Sequence, residues 1–193
     1  MAHIAILPSD AFPFAQFPAP LVVLSLVVVA PGWGDCGGEV SAMAEIALQV
    51  DVAASRERLL AALDTREGLT SWWSTAVERE GEDLLVTVPD APEALRLRRE
   101  RADLDRVGWR SVGMYPPSWQ GTTVTWDLFD HPDGSRRTLL LLRHLGWAPE
   151  ATASVPAAAG GWAEAIVRLK DYAQSGRPQP LFVPTGHLRA EAE

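Results

Sequence analysis

Few residues in this chain could do chemistry. Cys36 is its one cysteine, which excludes an intrachain disulfide and any zinc site built from cysteines alone. A metal would have to rest on histidines and carboxylates. His144 ends an alternating stretch that begins at Thr138 and is the candidate acid or base. His131 lies in the turn Asp130-His131-Pro132-Asp133-Gly134 and His187 near the C-terminus, both without ligand partners at useful spacing. The patterns H-E-x-x-H, G-x-S-x-G and the P-loop are missing. The reading therefore expects no metal and no cofactor. Eight tryptophans remain, and their large apolar rings suit a core or the wall of a cavity.

Gly32, Gly34 and Gly37 spell G-x-G-x-x-G after a Val-rich run, with Asp51 downstream. A dinucleotide site would need a helix and a second strand between Gly38 and Asp51, and that interval is too short for both. Pro31 also separates the run from the glycines. The pattern is a decoy.

Charge narrows the partners. A formal net charge of −8 repels phosphate backbones, so nucleic acid is not expected. Leu21 to Ala30 is apolar but half the length of a membrane span, about 20 residues. No Lys or Arg precedes Arg56, so a signal peptide lacks its charged start and a cytoplasmic protein is expected. The chain has no Asn, and Lys170 is its one lysine, a bias read as coding composition. Residues 1–42, broken by Pro8, Pro13, Pro18 and Pro20, are expected to be a disordered extension or sequence upstream of Met43. The domain is expected over 43–182, with a tail over 183–193.

Residues that could bind must be positioned by the elements that follow. Ile46, Leu48, Val50 and Val52 alternate with Ala47, Gln49 and Asp51, the pattern of a half-buried strand. Ser55 precedes a helical stretch, and a second short turn leads through Gly68 to Trp72 and Trp73. Strands are expected over 83–88, 94–101, 107–112, 122–129 and 138–144, with turn residues between them. A helix from about Pro156 to Ser175, with Ser154 as its N-cap and Gly176 behind it, carries an apolar stripe through Trp162, Ala165, Ile166, Leu169 and Ala173. The elements predict an α+β fold in which a curved antiparallel sheet wraps a long C-terminal helix.

Four stretches carry a resemblance: Ala62-Leu63 through Gly68-Leu69 to Trp72-Trp73; Trp119-Gln120-Gly121-Thr122; Arg143-His144-Leu145-Gly146-Trp147; and Gly161-Trp162 through Leu169 and Tyr172 to Gly176. In that order, over residues 45–182, they resemble the START-like (SRPBCC) superfamily, and within it the branch named after the activator of the heat-shock protein 90 ATPase. The resemblance implies the helix-grip fold and an apolar cavity. It carries no catalytic residue, because members include lipid and small-molecule carriers, polyketide cyclases and chaperone regulators.

Strand parity places side chains relative to that cavity. Arg143 must face water, so Thr138, Leu140, Leu142 and His144 point inward. Val124, Trp126 and Leu128 also face inward, leaving Thr125 and Asp127 to water. The outward Arg106 and Arg110 turn Val107, Trp109 and Ser111 inward. Trp162 closes the space, and Gly160-Gly161 leaves room for a packed strand or a ligand. Of the neighbours Trp72 and Trp73, one belongs to the core and the other to the mouth. The candidate ligand-binding set is Trp73, Trp109, Trp126, His144 and Trp162. Arg99 faces inward on strict alternation, where it could meet an anionic head group, unless a bulge returns it to solvent. Leu139 and Leu141 form an outward apolar patch suited to a weak homodimer. The leading expectation is a binding module for a small apolar or aromatic molecule. A cyclase- or hydrolase-type enzyme using the same cavity and a chaperone-regulator-like interaction module are the alternatives.

Overall fold

The alternation in Ile46–Val52 becomes a strand whose even-numbered residues are buried and whose odd-numbered ones are half-exposed. In this computed structural model, which describes residues 23–25 and 44–184, it is β2. A short strand, β1 (Val23–Ser25), pairs with it antiparallel, Val23 opposite Gln49. The remaining expectations for residues 1–42, the G-x-G-x-x-G pattern and His187 fall outside the described residues.

Two helices follow, α1 (Arg56–Asp64) and α2 (Arg66–Trp72). Ser55 caps α1 by accepting from the N–H of Arg58, and Thr65 caps α2 by accepting from Gly68 at 3.0 Å. A Cβ on Gly68 would lie 2.4 Å from the Ala61 carbonyl oxygen. Only a glycine lets the two helices meet this closely.

The chain then runs through β3 (Val77–Glu80), β4 (Asp83–Val86), β5 (Leu95–Ala102), β6 (Arg106–Ser111), β7 (Thr123–Asp130) and β8 (Thr138–Leu145). The sheet order is β1-β2-β8-β7-β6-β5-β4-β3, antiparallel throughout. Helices α1 and α2 therefore carry the chain from one side of the sheet to its far edge. Strand β3 was not expected, because Val77 is the one apolar residue in its four and gives no visible alternation.

The last helix, α3 (Val155–Ser175), buries Trp162, Ala165, Ile166, Leu169 and Ala173 against the curved sheet. Gly176, at φ 74°, terminates it in the left-handed conformation that glycine tolerates best. Ser154 precedes α3, but its side chain makes no capping bond. A 3-10 turn over Pro149–Ser154 runs directly into the helix, so Val155 N–H already bonds to Thr152. None of the described helices is long and apolar enough to cross a membrane.

Outward residues differ from expectation in two places, and a third, Arg99, is one that the sequence leaves open. Asp127 is buried, because Arg106 on the neighbouring strand folds over it in an ion pair. Leu139 and Leu141 are half-buried, and the exposed member of that patch is Phe129, which pairs with Leu139 across the ladder. Arg99 sits at a register shift against β6 and turns to Asp64 and Glu82, at 3.1 and 2.9 Å. Arg99 itself stays opposite the inward-facing Trp109, with the register shift falling after it, and the two carboxylates rather than a bulge occupy its guanidinium.

Candidate functional site

Parity along β6, β7 and β8 brings Trp109, Trp126 and His144 to the inner face, and all three are buried. Trp72 and Trp73 are buried as well, against the expectation that only one could be. Their rings stack at 5.6 Å and 7°, and Trp73 stacks again on Trp109 at 5.6 Å and 11°. Both sides of the α2 end are covered, one by the sheet and the other by the chain that returns after α3. Trp126 meets Trp72, Trp109 and Trp162 edge-on. Trp162 continues to Trp119, which meets Trp147. Every tryptophan among the described residues belongs to this one network.

His144 lies at one end of it, against Trp119, Trp147 and Trp162, fully buried and bonded at both ring nitrogens. Its Nδ1 accepts from Trp162 Nε1–H at 3.0 Å, and its Nε2 lies 2.8 Å from Thr122 Oγ1. Burial pushes its pKa down to about 3, because a charge there would lose its hydration. It is neutral at neutral pH, with no lone pair left to accept a proton.

The pocket opens beside this cluster. Its volume is about 190 Å³. Helix α3 supplies Ala157, Ala158, Gly161, Trp162 and Ala165, and Trp73 stands at the end of α2. The loop between β6 and β7 adds Tyr115, Pro116 and Trp119, and Val88, Leu95, Leu181 and Phe182 complete the lining. No lining side chain is charged. Of the candidates read from sequence, Trp73 and Trp162 line the pocket. Trp109, Trp126 and His144 stand behind its wall.

Glycines mark the same place. A Cβ added to Gly160 or Gly161 would meet nothing within 4 Å, so no packed strand requires them. Inside a helix each costs about 1 kcal/mol relative to alanine. Gly161 borders the open pocket instead.

Sequence reasoning missed Tyr115, Trp119, Leu181 and Phe182. The first two lie in a loop, where no periodicity assigns a face. The other two follow α3 and run parallel to the chain beyond α2: Leu181 N–H donates to the Trp72 carbonyl at 3.0 Å and Phe182 N–H to that of Trp73 at 2.8 Å. The Pro-Gln-Pro-Leu-Phe stretch was the available signal, an extended apolar end after a terminated helix.

No protein-family model and no curated protein matches the chain. Solved structures do. The Aha1 dimer from Colwellia psychrerythraea is similar over 69% of this chain and 98% of its own, at 23% identity and a TM-score of 0.58. CalU16 from Micromonospora echinospora is similar over 84% and 88%, at 18% identity and a TM-score of 0.54. DynU16, from the dynemicin biosynthetic locus, is similar over 72% of this chain and 50% of its own, at 19% identity and a TM-score of 0.57. Sheet, grip helix and pocket define a helix-grip protein with an apolar recess. The fold is the one seen in the Aha1 structure.

Proposed function

We propose that this protein binds a small apolar or aromatic molecule between α3 and the loop that carries Trp119. The observation that supports this most is the uncharged, aromatic-walled pocket bordered by a helical glycine that packing does not require. An apolar cavity of about 150 Å³ holds one benzene-sized molecule, and drug-sized sites run from about 300 Å³ upward. At about 190 Å³ the pocket suits one ring or a compact bicycle. An enzyme using His144 as its base finds no support, since both ring nitrogens are engaged.

Titration with toluene, followed through the indole N–H signals by nuclear magnetic resonance, tests the reading. Trp73, Trp119 and Trp162 should shift saturably, and Gly161→Leu should abolish the response by filling the recess. Non-saturating shifts, or equal shifts in Gly161→Leu, would rule the pocket out. The Aha1 structure is a dimer, and the outward Phe129, Leu139 and Leu141 are the face through which this chain would form a weak homodimer. Sedimentation of Phe129→Glu against the unaltered protein decides that point.

A further inference from the structure

One hydrogen-bond chain joins two walls of the pocket. The indole N–H of Trp162 can only donate, so at 3.0 Å it makes His144 Nδ1 the acceptor. The ring proton of the neutral imidazole therefore sits on Nε2 and is donated to Thr122 Oγ1 at 2.8 Å. Thr122 passes its own hydrogen to the Trp119 carbonyl at 2.6 Å. Around this chain, Trp147 donates to the His144 carbonyl at 3.1 Å. The Trp119 ring meets the imidazole edge-on at 4.6 Å. A single donor-only group thus fixes the direction of every link.

We infer that His144 is a positioning residue that sets the spacing of Trp119 and Trp162, whose rings stack at 5.5 Å and 23°. The inference rests on the proposed ligand reading and adds that the pocket is shaped in advance by a residue outside its lining. His144 and Thr122 are both fully buried, where an apolar pair could fill the same space without a hydrogen-bond pattern to satisfy. An apolar pair would not hold the Trp162 N–H in one direction or tie it to the loop at Trp119. Preorganisation of this kind raises affinity by removing the ordering that binding would otherwise require.

Three variants of the full chain test this: His144→Phe keeps a ring and removes both partners, His144→Asn keeps an acceptor near the Nδ1 position, and Thr122→Val cuts the link to Trp119. The readouts are hydrogen exchange of the Trp162 indole, ring-to-ring nuclear Overhauser contacts between Trp119 and Trp162, and toluene affinity. His144→Phe should speed that exchange and weaken toluene binding, each by about tenfold. His144→Asn should restore slow exchange, and Thr122→Val should weaken the ring contacts while leaving the Trp162 hydrogen protected. Should His144→Phe fail to fold, the other two variants decide. A merely structural role would lower the melting temperature but leave exchange, ring contacts and affinity unchanged in the folded protein, and that result overturns the inference. If the unaltered protein binds no toluene, the ligand reading fails by itself. The exchange and ring contacts then still decide whether His144 positions the two tryptophans.

Discussion

Phe182 donates its backbone N–H to the carbonyl of Trp73 at 2.8 Å, and Thr75 N–H returns a bond to Phe182 at 3.0 Å. A segment more than a hundred positions away in sequence is thereby brought to the pocket, where Leu181 and Phe182 join its lining. Phe182→Ala keeps these backbone bonds and removes the ring. Since Phe182 is only partly buried, the change should cost about 1–2 kcal/mol, below the 3–5 typical of a fully buried Phe. Affinity should move from toluene toward naphthalene. Urea melts and paired titrations check both; an unchanged preference would show that Phe182 does not limit the pocket.

Trp126 is completely buried among three other indoles, and its own Nε1–H finds no partner among the described residues. Trp126→Ala should cost about 3–5 kcal/mol, enough to threaten the domain. Trp126→Phe should cost well under half as much, because it also removes an unsatisfied buried donor. Comparable losses in the two variants would mean that the indole N–H is satisfied in solution.

Stability should fall with acid through His144. Its folded pKa is lowered from 6.5 to about 3 by burial, so in that interval the unfolded chain binds a proton that the folded one refuses. Above 6.5 both states are neutral and the effect is absent. Below it, stability declines by about 1.4 kcal/mol per pH unit until the folded group titrates. Asp83, held low by hydrogen bonds from Arg98 and Arg96, adds its loss near and below 3.8. Urea melts from pH 7.5 to 4.5 should show the slope, and His144→Phe should flatten it. A flat unaltered protein would contradict the burial of His144.

Gly68→Ala tests the close approach of α1 and α2. Its Cβ would lie within 2.6 Å of backbone atoms of Ala61 and Ala62, which cannot move aside as a side chain can. The helices must separate, at an expected cost of about 2 kcal/mol or more despite alanine's better helix propensity. A thermal melt within a degree of the unaltered protein would show that α1 and α2 are loosely joined.

Periodicity made the architecture legible. Alternation in 46–52 and 138–144 and the helical stripe from Trp162 to Ala173 each report which face of an element is apolar. A curved sheet over one long helix is the arrangement that buries those faces together. The same parity correctly turned Trp109, Trp126 and His144 inward. It could not say what they would meet there, since a repeat of two or of 3.6 residues describes an element's faces and not its partners. Whether an inward ring lines an opening or stands behind one depends on which loops arrive in front of it. Tyr115, Trp119 and Phe182 arrive from segments without a repeat, placed by turns and by backbone bonds to distant carbonyls. The role of His144 was hidden for the same reason. An imidazole becomes a base or a strut according to what its two nitrogens touch, and Trp162 and Thr122 reach it only once α3 is gripped by the sheet.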